Sequence, residues 1–124
     1  MQYALLIYTN ETADSQASQQ EQEASMAAYL AFGEQFKEQI AGGEALLPTS
    51  SATTVRVREG QTLTTDGPFA ETKEQLGGFF LIEAKDMDEA CAVAARFPPA
   101  RVAVMEIRPV QELKHSRDRR GLPS

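Results

Sequence analysis

The run Phe79-Phe80-Leu81-Ile82 constrains this chain more than any other feature. Four large apolar residues follow one another without alternation, between Gly77-Gly78 and the polar stretch that begins at Glu83. A segment this short reads as a strand, and a strand without a polar face has to be covered on both sides. Residues 2–8, QYALLIY, share the property. Tyr3, Leu5 and Ile7 form one face, Ala4, Leu6 and Tyr8 the other, and both are apolar.

Two helices are expected to supply the cover. Ser18 and Glu21 have the spacing of a capping box, in which each satisfies a free backbone N–H at a helix start. Met26, Tyr29, Leu30, Gly33, Phe36 and Ile40 then recur at helical spacing and predict one apolar stripe. Gly42-Gly43 is the expected stop. Asp86 and Glu89 repeat the capping spacing before a second helix through Ala90, Cys91, Ala94 and Ala95, which ends before Pro98-Pro99. Residues 9–17 read as a polar connection, and Leu46-Leu47-Pro48 as a short extended piece. Thr53 to Arg58 and Gln61 to Thr65 read as a hairpin about Glu59-Gly60. Asp66-Gly67-Pro68 breaks it, residues 69–76 form a charged loop with a helical turn at AETKEQ, and Val102 to Val110 is the last strand.

This order predicts an α+β fold, the ferredoxin-like βαββαβ plan with an extra hairpin. Residues 1–113 form one domain, and residues 114–124, KHSRDRRGLPS, a basic flexible tail. Two helices cover only one sheet face. The other is still offered one side of each apolar strand, a patch that a soluble monomer rarely keeps. A homodimer with sheets packed face to face is therefore expected, with a cleft between subunits. The competing arrangement is a monomer whose hairpin folds over the open face.

Charge narrows the function classes. Twelve Lys and Arg against eighteen Asp and Glu give −6, the wrong sign for a direct nucleic-acid binder. No apolar run approaches the ~20 residues that span a bilayer, so no membrane partner is expected. The N-terminal residues lack a basic segment and a cleavage site, which predicts a cytoplasmic protein. The single cysteine, Cys91, excludes an internal disulfide and a cysteine-rich zinc site; a buried position is expected for it. No HxxE, HxH or CxxC spacing supports a metal, and no P-loop or GxGxxG supports a nucleotide, so no cofactor is expected.

The stretch Thr64 to Ala84, TTDGPFAETKEQLGGFFLIEA, resembles the signature of the YCII-related proteins of the DGPF type. MQYALLIY, ALLPTSSATTVRVREG and EIRPVQEL stand in the expected order around it, so the resemblance covers residues 1–113. It implies a dimeric α+β-barrel of ferredoxin-like subunits and specifies no activity. Genes of this type often lie beside those of alternative sigma factors, which implies a sigma-factor link by analogy alone. Some relatives in the wider superfamily are enzymes that remove a group from small aromatic compounds with a His–Asp pair. The one histidine here, His115, lies in the tail, so the body of the domain holds no such dyad.

The candidate site residues each have two readings. Asp66 and Phe69 belong to a turn, with the Phe69 ring plugging the core edge, or Asp66 is a carboxylate held at a cleft mouth as a base and Phe69 a ligand-binding residue. Glu71 and Lys73 are a solvated loop, or the further acid–base groups of a polar pocket. Arg56 and Arg58 share one strand face and either meet solvent or grip an anionic ligand. Tyr3, Tyr8 and Tyr29 are core residues or pocket lining. Three functions follow: a small-molecule-binding or accessory protein with regulatory use, an enzyme with lyase- or isomerase-like acid–base chemistry on a small organic molecule, or a sigma-factor-associated protein acting through the basic tail.

Overall fold

The computed structural model describes residues 1–98 and 102–112; the tail expected from residue 114 lies outside the described residues. In chain order the elements are β1 (Gln2–Thr9), α1 (Glu11–Ser15), α2 (Gln19–Gln35), β2 (Ile40–Ala45), a 3-10 turn (Thr49–Ser51), β3 (Thr53–Arg58), β4 (Gln61–Asp66), β5 (Gln75–Glu83), α3 (Met87–Ala94) and β6 (Val102–Pro109). Four strands form an antiparallel sheet in the order β2-β5-β1-β6, while β3 and β4 pair only with each other. This is an α+β, ferredoxin-like arrangement with an added hairpin. The two apolar strands stand at its centre, as their composition requires.

Register sorts the side chains. Leu5 pairs with Phe80 and Ile107, and Ile7 with Gly78 and Met105. These residues face the helices, and Leu5 and Ile82 are wholly buried. Ala4, Leu6 and Tyr8 pair with Leu81, Phe79 and Leu76 on the other face. All of these are only partly covered except Leu76, which is exposed.

α2 departs from the expected stripe. Its capping box is present, with Ser18 accepting from the Glu21 N–H at 3.1 Å and Glu21 from the Ser18 N–H at 3.3 Å. The inward side chains are Tyr29, Phe32 and Phe36, whereas Met26 and Leu30 are 58% and 63% exposed. Apolar residues wrap much of this helix, so periodicity left its rotation open. Contacts decide it: the Phe32 ring lies 4.9 Å from Phe36, 5.3 Å from Phe80 and 5.0 Å from Phe97, centroid to centroid.

The helix also ends at Gln35, before Gly42-Gly43, and those glycines belong to edge strand β2. Gly43 has φ +154°, and a Cβ there would stand 2.5 Å from the Phe79 carbonyl oxygen. Gly43 lets β2 lie tight against β5, and the pair is no helix stop. On α3, capped by Asp86 as expected, Ala90, Val93 and Ala94 are buried but Cys91 is exposed, since it sits off the inward face. Residues 9–17 contain α1, whose cap is Asn10 accepting from the Ala13 N–H at 3.0 Å. The helical turn expected at AETKEQ is not formed, and Gln75 already begins β5. No helix among the described residues is long and apolar enough to cross a membrane.

Candidate functional site

Between the sheet and the helices lies a cavity of about 710 Å³. That is within the range of small-molecule sites, about 300–1,000 Å³. Its floor is the meeting of β1 and β5, where Ile7 pairs with Gly78 and Tyr8 with Leu76. Gly77 is thus the extra residue of a β-bulge. Its carbonyl accepts from the Leu46 N–H at 2.9 Å. A Cβ on Gly78 would stand 2.9 Å from the Glu44 carbonyl oxygen. The glycine pair therefore serves close strand approach at the cavity floor, and the floor itself is backbone.

The walls come from four other places. Glu11, Thr12, Asp14 and Ser15 are on α1, and Ser25 and Tyr29 on α2. Ala45, Leu46, Pro48 and Ser50 come from the end of β2 and the connection after it, and Phe97 and Pro98 follow α3. Glu11 ties these parts together. Its carboxylate accepts from the Thr49 N–H at 2.8 Å and from the Thr49 hydroxyl at 2.7 Å, and its own N–H donates to Gln75 Oε1 at 3.0 Å. The Gln75 side-chain amide in turn donates to the Thr72 carbonyl. The ETKEQ segment of the signature thus anchors α1, and through Glu11 the rim beyond β2.

Tyr29 supplies the aromatic wall. Its ring stacks on Phe80 at 5.4 Å and meets Phe97 edge-on at 5.9 Å. Among the described residues, nothing takes a hydrogen bond with its hydroxyl. Burial, and then the negative charge of Glu44, push the phenol above its ordinary pKa, so it stays protonated and remains a donor.

The residues expected from sequence lie elsewhere. Asp66, Arg56 and Arg58 are exposed on the β3–β4 hairpin, and Glu71 and Lys73 are exposed in the following loop. Phe69 is 79% exposed and does not plug the core edge. Tyr3 is buried in the core, its hydroxyl 3.6 Å from the Met1 sulfur, and Tyr8 is on the face away from the helices. None of these eight lines the cavity; of the three tyrosines only Tyr29 does. The cavity is within the single chain, on the helix side, whereas the sequence reading expected a cleft on the opposite face, between subunits. Glu11 and Asp14 were missed. The signal for them was Asn10, a helix-capping residue that puts both on a first turn. Among the described residues no group of three His, Cys, Asp or Glu is placed to hold a metal ion.

Comparison with known proteins places the chain. The YCII-related domain matches residues 1–114. The chain belongs to the YCII-related family. A relative in Rhizobium meliloti (strain 1021), an uncharacterised protein, is 39% identical over 114 residues, which is 89% of this chain and 92% of the relative. Among solved structures, the YCII chain is similar to 5-chloro-2-hydroxyhydroquinone dehydrochlorinase from Burkholderia phenoliruptrix AC1100, determined in complex with 2,5-dihydroxybenzoquinone. The TM-score is 0.52 at 21% identity, covering 94% of this chain and 96% of that one. The likeness is one of fold.

Proposed function

We propose that this YCII-related protein is a homodimeric small-molecule-binding protein whose ligand chamber is the cavity between the sheet and α1 and α2. The single observation that carries the reading is that cavity, which joins an aromatic wall at Tyr29 and Phe97 to polar side chains on α1. A ring-sized organic molecule fits its volume. The structural neighbour, a protein of the same fold, is described with a six-membered ring compound bound.

The homodimer is supported by the sheet face that the helices leave open. Leu6 and Tyr8 on β1 and Phe79 and Leu81 on β5 meet there, and Leu76 is 37% exposed beside them. Fully burying an exposed side chain of this kind contributes about 1.5–3 kcal/mol, and these partly covered ones contribute a share of that each toward the cost of association. A second reading, an enzyme, is favoured by one observation. Glu11, Asp14 and the protonated Tyr29 share the chamber and are the groups acid–base chemistry needs. The neighbour's description as a dehydrochlorinase agrees with that reading.

A thermal-shift screen of cyclic organic compounds on the full chain tests the proposal, with hits mapped by NMR. A ligand at 100 times its dissociation constant stabilises the fold by about 2.7 kcal/mol. Hits that perturb Tyr29 and Phe97 support the chamber. Hits that instead perturb Arg56, Arg58 and Asp66 overturn it. Light scattering at micromolar concentration decides the dimer separately, and a mass of one chain removes it.

A further inference from the structure

We propose that the chamber takes aryl carbonyl compounds, with the ring against Tyr29 and Phe97 and the carbonyl oxygen accepting from the Ser25 and Tyr29 hydroxyls. The inference rests on the reading of the cavity as the ligand site and adds the polar group that the ligand must present.

Ser25 and Tyr29 are four residues apart on α2, hence neighbours on one face, and both line the cavity. A helical side chain leans toward the helix N-terminus, so Tyr29 reaches back over the turn that carries Ser25. Serine is a weaker helix former than the alanines around it, Ala24, Ala27 and Ala28. In a helix interior its hydroxyl ordinarily turns to solvent or bonds back to the carbonyl four residues before. Ser25 does neither: it is half-buried, and its hydroxyl makes no hydrogen bond among the described residues. The Tyr29 hydroxyl is in the same state, half-buried and without a hydrogen bond there. Two unused donors therefore stand on one helix stripe at one cavity.

Those donors set the ligand's polar group. A hydroxyl drawn out of water needs a partner, and a carbonyl oxygen has two lone pairs, one for each hydroxyl. The phenol stays protonated, because burial and Glu44 raise its pKa, so it donates. Two other polar groups of the wall are already engaged: the Glu11 carboxylate accepts twice from Thr49, and the Ser15 hydroxyl donates to the Thr12 carbonyl. The ring's place follows from Phe97, which meets Tyr29 edge-on at 5.9 Å and, with Ile7 and Leu46, adds apolar surface to the lining.

Acetophenone and ethylbenzene share a ring and a two-carbon arm and differ in a carbonyl against a methylene. Each is titrated by NMR into the full chain and into its Ser25→Ala and Tyr29→Phe variants, with the Phe97 ring as the site marker. Both substitutions remove a hydroxyl and suit a helix. Each is expected to weaken acetophenone about three- to tenfold and to leave ethylbenzene within about twofold. An acetophenone affinity that is unchanged in either variant, or that falls no more than the ethylbenzene affinity does, overturns the carbonyl inference. The chamber then still stands, because both compounds shift Phe97. If neither compound shifts Phe97 at millimolar concentration, the chamber itself falls and the inference with it.

Discussion

Glu11 and Thr49 are 38 positions apart and joined by two hydrogen bonds, 2.8 Å from the Thr49 N–H and 2.7 Å from its hydroxyl to the two carboxylate oxygens. This pair closes the rim of the cavity by fixing the 3-10 turn to α1. Both bonds go to a charged acceptor, the stronger kind. Thr49→Val keeps the shape and removes the hydroxyl donor. It is expected to cost about 1.5–3 kcal/mol at most, and less to the extent that water reaches Glu11. Urea unfolding gives the total, and faster amide exchange at residues 49–51 with little change in β1 shows that the loss is local.

Phe32 and Leu30 are two residues apart and have opposite expected costs. Phe32 is 2% exposed and touches three other rings. Phe32→Ala is expected to lose about 3–5 kcal/mol, enough to unfold a marginal domain. Leu30→Ala removes a side chain that is 63% exposed, and is expected to change stability by less than about 0.5 kcal/mol. Comparable losses in both would mean that the helix is rotated, or that Leu30 is covered by another copy.

Gly43 and Gly78 both approach the backbone of the neighbouring strand. Their alanine variants place a methyl 2.5 Å from the Phe79 carbonyl and 2.9 Å from the Glu44 carbonyl. Backbone cannot give way as a side chain can, so each variant is expected to lose about 1–3 kcal/mol, and Gly43→Ala more because its φ is also strained. Denaturant midpoints measure the loss, and NMR shows it concentrated at β2. Gly33 has nothing within 4 Å of a built Cβ and is helical, so Gly33→Ala is expected to stabilise by about 0.5–1 kcal/mol.

Tyr29 makes stability depend on alkaline pH. Burial first, and Glu44 second, raise its pKa above the ordinary 10.0 in the folded state. The folded chain therefore holds this proton more tightly than the unfolded chain does. Its contribution is complete below the unfolded value and is lost as pH rises through the raised folded value. Tyr29→Phe keeps the ring stack and removes the ionisable group. Its stability is expected to fall less steeply than that of the native chain above about pH 10. Glu44→Gln is expected to lower the tyrosinate absorbance midpoint of Tyr29.

The elements were legible wherever the signal was local. The Ser18–Glu21 box, the Asp86 cap, the Glu59-Gly60 hairpin and the unalternating strand at Phe79 each involve neighbours in sequence, and each formed as read, although the Glu89 carboxylate accepts from the Lys85 N–H and not from that of Asp86. The DGPF-type stretch carried the family resemblance for the same reason, since its residues are contiguous. The exposure of Glu71 and Lys73 matches the solvated-loop reading, whereas the exposure of Phe69 was not legible, because turn chemistry does not say which way the residue after it projects.

What the sequence determined by itself is the plan: two central strands without a polar side, helices on one face, and a family. Its residues meet those demands within a few positions of each other along the chain. The tertiary structure decided the rotation of α2, the use of Gly42-Gly43 as a strand rather than a stop, and the gathering of Glu11, Asp14, Tyr29 and Phe97 about one cavity. Those outcomes depend on contacts between distant segments, such as Phe32 with Phe97 and Glu11 with Thr49. Local periodicity carries no information about such contacts, because several packings satisfy the same pattern and only the mutual fit of the elements selects one.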